Sequence, residues 1–272
     1  MSTELIYAAA LLLAGIGSGY AGGMFGIGGG VLRVPILLNL FASFGVSNEL
    51  SMHLAAGTSL MVAVPGTISA SLAQYRSGNM DLQFLKGWIP ALIAGVAVGL
   101  LAQRYAPGRI LMIVFAVMLF LQSLQLLLGQ DRFHLTQKPP SGPLQWLVAS
   151  SIGSLSVAMG VSGGAFTTPT LVAMSYPLRG ALATATATAL VASVIGAVGS
   201  IFNGLGYPDL PRFSLGYVNL LAVVVMLPGV LLMAPMGVKT ANHMSKARLT
   251  KALAIFLMAV AADMTFDFFE RF

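Results

Sequence analysis

Charged residues are scarce in this chain. Of its 272 residues only 8% are Asp, Glu, Lys or Arg, whereas soluble domains carry about 25%. So few charges cannot cover the surface of a folded chain of this size, which excludes an ordinary soluble enzyme, a nucleic-acid-binding domain and a disordered segment. With 57% hydrophobic residues and a mean hydropathy of +0.88, the composition indicates a protein that lies almost entirely in lipid.

Cysteine is absent altogether. The lack of thiols excludes disulfides and zinc–thiolate sites, and we expect no bound metal and no other cofactor. No Lys or Arg precedes Arg33, so the N-terminus lacks the basic region of a secretory signal, and we expect the first apolar segment to stay in the mature chain. The net charge of +6 comes from scattered residues, a pattern typical of loops that face anionic lipid.

Apolar runs recur along the whole chain. A spanning helix needs ~20 apolar residues, and only helices or closed barrels satisfy their backbone hydrogen bonds in lipid. The alternation typical of barrel strands is missing, so the predicted fold class is all-α and polytopic, with about four spanning helices in each half. The runs cover about 5–24, 31–44, 52–75, 84–102 and 110–128, then 144–159, 165–174, 180–203, 215–238 and 249–262.

The two sets of runs look like copies of one unit. The sequence GIGGGVLRVPIL at 26–37 aligns with GVSGGAFTTPTL at 160–171, sharing three glycines, a proline and a leucine. We therefore predict an N-terminal membrane repeat at 1–128, a polar linker at 129–143 and a C-terminal membrane repeat at 144–272.

The distribution of Lys and Arg predicts how these repeats are oriented. The loop at 239–251 holds four basic residues and no acid, so we place it in the cytoplasm. An odd number of crossings in each half puts nine basic residues inside and four outside, whereas an even number gives seven and six. The larger bias favours an inverted repeat with both termini outside.

Runs of glycine interrupt the apolar segments at the same place in both copies. Glycine in a helix interior costs ~1 kcal/mol relative to Ala, so such runs predict broken or re-entrant helices. Paired interruptions are typical of transporter binding sites, because a restarting helix offers its N-terminal amides and positive dipole end to an anion. The predicted substrate ligands here are Gly28, Gly29 and Gly30 and then Ser162, Gly163 and Gly164, with helix-breaking prolines at Pro35 and Pro169.

Arg33 is an ionisable residue at membrane depth, three positions after the glycines. Its counterpart in the second copy is Thr167, followed by Thr168. A guanidinium, hydroxyls and backbone amides together would form a cradle for an oxyanion. Two alternatives stay open: Arg33 snorkels to an interface, or the glycines serve close helix packing. Packing suits other glycines better, namely Gly15, Gly19, Gly23, Gly95 and Gly99.

Further polar residues lie in the apolar segments that follow. Thr58, Ser59 and Thr188 are predicted to donate hydrogen bonds to substrate, or alternatively to bond back to their own helix. Glu49 and His53 are four residues apart and share a helix face, so they would relay a coupling proton or form an interfacial polar cap.

The two copies of Gly-x-Gly/Ser-Gly-Gly-x-x-x-x-Pro-x-Leu, with the stretch Ala56–Leu60 and Arg76-x-Gly-x-x-Asp81, resemble the sulfite exporter TauE/SafE family, also called toluene-sulfonate uptake permeases. The resemblance extends from about Gly19 to Ala262. It implies a multi-pass carrier of the bacterial inner membrane for sulfite, sulfoacetate or other organosulfonates, with the glycines and prolines of both motifs at the site. The second Thr-Ser pair departs from the pattern, reading Thr188-Ala189, and Arg33 rests on the physical argument alone.

The expected function is therefore secondary transport of a small sulfur-containing anion, bound near the midplane, with one repeat rocking against the other. Expected partners are that anion, membrane lipid and a coupling proton or sodium, but no nucleic acid; a homodimer is left open. An anion channel has the same anatomy and remains an alternative. A rhomboid-like serine protease is a weaker one, suggested by Gly160-Val161-Ser162-Gly163 but lacking a suitably placed histidine.

Overall fold

The computed structural model describes residues 3–25, 28–128 and 139–271, and most of the predicted linker lies outside these ranges. The described residues form ten α-helices and one short β-hairpin, which confirms the all-α fold class. The helices are α1 Thr3–Phe25, α2 Gly30–Ser43, α3 Asn48–Arg76, α4 Leu82–Tyr105, α5 Gly108–Leu128, α6 Gly142–Ala158, α7 Gly164–Ala173, α8 Leu178–Gly204, α9 Leu220–Asn242 and α10 Lys246–Arg271, with strands β1 Ser214–Leu215 and β2 Val218–Asn219 between α8 and α9.

Seven helices in the described part of the chain are long and apolar enough to cross a membrane. They are α1, α3, α4 and α5 in the first half and α8, α9 and α10 in the second. The second half has one fewer because α6 has 17 residues where α1 has 23. The protein is therefore a multi-pass membrane protein, as predicted.

Both glycine motifs interrupt the helices. α1 ends at Phe25 and α2 begins at Gly30, whereas α6 ends at Ala158 and α7 begins at Gly164. The residues just before α2 and α7 are Gly29 and Gly163, with φ angles of 72° and 80°. Glycine alone adopts this left-handed region without a steric penalty, so the chain can reverse direction here.

Each short helix doubles back along the helix before it, so α1–α2 and α6–α7 form two helical hairpins. In the first hairpin, Tyr7 near the start of α1 contacts Phe44 at the end of α2, with ring centroids 4.3 Å apart. In the second, Leu155 near the end of α6 and Phe166 near the start of α7 line the same cavity. Residues 29–30 and 160–164 are buried, so the broken end of each hairpin lies inside the bundle.

One face of the bundle, which we call the Glu49 face, carries the starts of α3 and α5 and the ends of α4 and α8. The carboxylate of Glu49 accepts a hydrogen bond from the backbone N–H of Gly108. Near the end of α8, the Asn203 side chain donates to the Leu100 carbonyl oxygen in α4 at 2.8 Å.

The opposite face, which we call the Asp81 face, carries the end of α3 and the starts of α4 and α8. The Tyr176 hydroxyl donates to the Asp81 carboxylate at 3.3 Å. Helices α3 and α8 consequently run antiparallel, and the hydroxyls of Thr67 and Ser193 are hydrogen-bonded between them at 3.0 Å. An inverted repeat would produce this arrangement, although the repeat and its membrane orientation stay predictions.

Glycines bring helices from the two halves into backbone contact. In α1, Gly15, Gly19 and Gly23 face the backbone of Met226, Val230 and Ala234 in α9, and in α4, Gly95 and Gly99 face Ser150 and Ser154 in α6. A methyl group added at Gly19 would lie 2.6 Å from the Val230 Cα atom. These glycines act in helix packing, as predicted, and they interlock the two halves through parallel helix pairs.

The broken ends of the two hairpins touch. A methyl group added at Gly28 would lie 2.7 Å from the Ser162 Oγ atom, and one at Gly30 would lie 3.2 Å from the Val161 Cα atom. The two motifs therefore form one contact, which we call the glycine junction: residues 28–30 of the first hairpin and 160–164 of the second.

A disulfide across this junction tests the contact directly, because the natural chain has no cysteine. A Cβ atom at Gly28 would lie 4.0 Å from the Ser162 Cβ atom, within the 3.5–4.5 Å that disulfides require. We expect the double variant Gly28→Cys/Ser162→Cys to lose both free thiols on mild oxidation, measured by maleimide labelling and intact mass.

The matched control pairs Ser162→Cys with Gly45→Cys. Gly45 also has a positive φ angle, 85°, but a side chain there would contact nothing within 4 Å. Its thiols should stay free, and equal oxidation of both pairs would contradict the hairpin arrangement.

Glycine packing makes a second prediction. An added methyl at Gly95 would overlap the Ser150 carbonyl oxygen, so Gly95→Ala should lower the free energy of unfolding by about 1–3 kcal/mol. Gly66 in α3 has open space around its Cα, so Gly66→Ala should be neutral or stabilising by up to about 1 kcal/mol. Thermal unfolding in detergent measures both; similar losses for the two variants would argue against close α4–α6 packing.

Candidate functional site

Arg33 lies one turn into α2 beside the glycine junction. Its side chain is 1% exposed. One guanidinium nitrogen, Nη1, donates to the Ser59 carbonyl oxygen of α3 at 3.1 Å, and Nη2 donates to the Gly28 carbonyl oxygen. The side chain therefore connects the end of the first hairpin to α3. The snorkelling alternative requires the guanidinium to reach a membrane interface, and it does not.

The charge of this guanidinium has no carboxylate partner among the described residues. Its Nε atom is buried and makes no hydrogen bond. Burying a charge costs several kcal/mol unless an opposite charge compensates it. The site is thus suited to a bound anion, which would supply both the missing charge and an acceptor for Nε.

Two buried hydroxyls beside the junction also lack partners. The Oγ atoms of Ser59 and Ser156 are both buried and make no hydrogen bond. Ser59 Oγ lies 3.4 Å from a methyl placed at Gly30, and Ser156 Oγ lies 3.3 Å from one at Gly163. One unpaired hydroxyl therefore stands beside each motif, able to donate to a ligand.

Thr188 lies against the second motif, with its Cγ2 atom 3.0 Å from a methyl placed at Gly163. Its hydroxyl accepts a hydrogen bond from the indole N–H of Trp88 at 2.8 Å. Because that bond occupies an oxygen lone pair, the hydroxyl hydrogen of Thr188 is left to act as a donor.

The helix N-termini add further donors. Neither α2 nor α7 has a side-chain cap at its first turn, because the capping positions are Gly29 and Gly163. The groups that converge on the junction are therefore chiefly donors, which favours a negatively charged ligand. Of the predicted ligands, the structure brings together Gly28, Gly29, Gly30, Arg33, Ser59, Ser162, Gly163, Gly164 and Thr188.

Other predicted ligands use their hydroxyls elsewhere or lie outside this cluster. The Thr58 hydroxyl accepts from the Asn219 backbone N–H at 3.0 Å. The Thr167 hydroxyl donates back to the Gly163 carbonyl oxygen at the start of its own helix, at 2.9 Å. Thr168 is half-buried in α7.

The predicted helix-breaking role of the prolines is wrong. α2 continues through Pro35 to Ser43, and α7 continues through Pro169 to Ala173. The glycines make the break instead, because they alone permit the left-handed turn. A proline is tolerated inside α7 because another side chain replaces the hydrogen bond it removes: the Gln122 Nε2 atom donates to the Ala165 carbonyl oxygen at 2.6 Å.

The predicted proton relay lies at the Glu49 face rather than at the junction. Glu49 binds the backbone of Gly108, as described above. His53 is 8% exposed and stacks on Tyr217, with ring centroids 5.1 Å apart, and its Nδ1 atom has no partner. The two side chains do not bond to each other, and their role in coupling stays a prediction.

The histidines bear on the protease alternative. A serine nucleophile needs a histidine within hydrogen-bonding reach. His53 stacks on Tyr217, and His243 bonds to the Lys239 carbonyl oxygen at 2.7 Å. His134 falls outside the described residues. In the described part of the chain, therefore, Ser162 has no histidine as a hydrogen-bonding partner.

Sequence reasoning missed Trp88 and Ser156. Trp88 carries a signal in retrospect, because it is one of only two tryptophans and lies within a predicted spanning segment, whereas membrane tryptophans usually gather at the interfaces. Ser156 carries none, since it is one of several small polar residues in α6.

Comparisons with known proteins agree with this reading. The family model described as "Sulfite exporter TauE/SafE" matches residues 11–264. A "Probable membrane transporter protein" of Haemophilus influenzae is 29% identical, covering 93% of this chain and 96% of the relative. One from Methanocaldococcus jannaschii is 25% identical, covering 91% of each chain. No solved structure matches the chain significantly. The family match spans nearly the whole sequence, and the chain therefore belongs to the TauE/SafE family of membrane transporters.

Proposed function

We propose that this protein is a secondary carrier of a small sulfur-containing anion, such as sulfite, sulfoacetate or another organosulfonate, and that it binds this anion at the glycine junction. The observation that carries the proposal is the buried Arg33 guanidinium, which lies beside the glycine junction and has no carboxylate partner among the residues that the structure describes. A carrier that must release its cargo gains from such a site, because the anion itself completes the charge balance.

The donors at the junction suit a sulfur oxyanion in number as well as in sign. Sulfite and sulfonate groups present three oxygens that accept hydrogen bonds. In the proposed complex, Arg33 supplies the charge, the hydroxyls of Ser59, Ser156 and Thr188 donate hydrogen bonds, and the amides of the glycine motifs supply the rest. Membership of a sulfite exporter family supports the choice of sulfur, whereas the names of the two relatives specify no substrate.

Two rows of aromatic rings flank the proposed site. Toward the Asp81 face, Phe84 contacts Tyr176 and Trp88, with ring centroids 4.5 and 5.4 Å apart. Toward the Glu49 face, Tyr217 contacts His53 and Tyr207, with centroids 5.1 and 5.8 Å apart. Alternating access would open one row while the other stays closed, so that the anion never meets both sides of the membrane at once.

In the proposed transport cycle, the bodies that move against each other would not be the two sequence halves. α1 of the first half packs on α9 of the second through glycine–backbone contacts, and α4 packs on α6 in the same way. Such close contacts resist sliding, because interiors packed this tightly are not continuously deformable. One proposed moving body therefore consists of the first hairpin (α1–α2) with α9, and the other consists of the second hairpin (α6–α7) with α4.

Removing the charge of Arg33 should greatly weaken anion binding. We expect Arg33→Gln to weaken sulfite affinity at least ~30-fold, since truncating one member of a buried charge pair costs about 2 kcal/mol or more. The sulfite affinity of Arg33→Lys should fall between those of the natural protein and Arg33→Gln, because lysine keeps the charge but loses the forked geometry. Equilibrium binding by purified protein measures these affinities, with melting temperatures recorded to show that each variant is folded.

The matched control is Arg104→Gln, which removes a charge from an exposed arginine at the end of α4. It should bind sulfite like the natural protein. If folded Arg33→Gln retains full affinity, the anion does not bind at the junction.

Carrier and channel predict different kinetics in proteoliposomes. A carrier should show saturable uptake of labelled sulfite, and uptake should rise several-fold when unlabelled sulfite is trapped inside, because the loaded site returns faster than the empty one. A channel with the same anatomy would show neither saturation at low concentration nor this stimulation by internal sulfite. An uptake rate that does not change with internal sulfite would favour the channel alternative.

A further inference from the structure

A cavity of about 320 Å³ lies on the outer side of the second hairpin, between α5, α6 and α7. Its walls are mostly apolar, and Leu121 and Leu147 at its rim are 52% and 64% exposed on helices of a membrane bundle. The cavity therefore opens sideways, toward lipid. Its polar lining consists of uncharged side chains only: Gln122, Gln125, Ser151 and Thr170.

The hydrogen bonds of Gln122 determine which kind of polar group this cavity can bind. Pro169 has no backbone N–H, so the Ala165 carbonyl oxygen four residues earlier lacks its helical donor, and the Gln122 Nε2 atom takes that place at 2.6 Å. This bond fixes which way the carboxamide points, since only its nitrogen can donate.

The other carboxamide atom of Gln122 is left without a partner. Oε1 is buried and accepts no hydrogen bond, and the whole side chain is only 7% exposed. An unpaired buried acceptor is costly, so a retained one calls for a donor from outside the chain.

We propose that this cavity binds an uncharged single-chain amphiphile that carries a hydroxyl group, such as a long-chain alcohol or a monoacylglycerol. Its hydroxyl donates to Gln122 Oε1, and its chain lies against the apolar walls and reaches the lipid between Leu121 and Leu147. The uncharged lining favours a neutral head group. The volume lies at the lower end of ligand pockets, which suits one chain and not a two-chain phospholipid.

The site differs from the glycine junction in its ligand and in its route of entry. The junction offers donors to an anion, whereas the cavity offers an acceptor to a neutral hydroxyl. An occupant would nevertheless lie against α7, whose first turn forms part of the junction, because Phe166 and Thr170 line the cavity.

Photoaffinity labelling tests the proposal. The probe is a long-chain alcohol with a diazirine in its chain, applied to the purified protein without any anion, and labelled peptides are mapped by mass spectrometry. We expect labelling to concentrate in residues 118–125, 147–155 and 166–170 and to be displaced by excess unlabelled alcohol. The methyl ether of the same probe, which cannot donate, should label these peptides about fivefold less.

A substitution that fills the cavity provides a second test, with a matched control. Ser151→Leu adds an apolar side chain within the lining and should abolish labelling, whereas Ser69→Leu, at an exposed serine of α3 outside the cavity, should not change it. Equal labelling by alcohol and ether, labelling spread evenly over the exposed helices, or undiminished labelling of Ser151→Leu would overturn the proposal, as would a cavity that holds only water. Because no anion is present, these results are independent of the proposed transport function.

Discussion

The contact between the broken ends of the two hairpins is the constraint on which the rest of the structure depends. A helix that stops inside a membrane leaves backbone amides without partners, and lipid cannot satisfy them. Here each break is covered by protein, because Gly28 and Gly30 lie in close contact with Ser162 and Val161. The junction is thus both a solution to a backbone problem and a place where polar groups can persist within the bundle.

Glycine serves two separate purposes around this contact. At Gly29 and Gly163 it supplies a left-handed backbone, so that the chain turns back into the bundle. In α1 and α4 it supplies a flat helix face, so that α9 and α6 approach to backbone contact. The second use interlocks the sequence halves and leaves α3 and α8 crossing antiparallel beside the junction, where Ser59 and Thr188 project.

The two hairpins contribute unequally to the site. Arg33 of the first hairpin reaches across to Ser59, whereas Thr167 of the second bonds back to its own helix. All of the side-chain charge therefore comes from one side, and the other side contributes hydroxyls and amides. A single buried positive charge surrounded by neutral donors favours a small anion, and this chemistry agrees with membership of a sulfite exporter family.

The sequence by itself determined the membrane location, the all-α class, the glycine breaks and the packing glycines, because scarce charge, apolar length and backbone freedom are local properties. It could not show that α7 continues through Pro169, since the replacement donor Gln122 lies far away in α5. Nor could it place Trp88 against Thr188. Those features were decided by the tertiary structure, because a hydrogen bond between distant segments exists only once the helices that carry them have packed together.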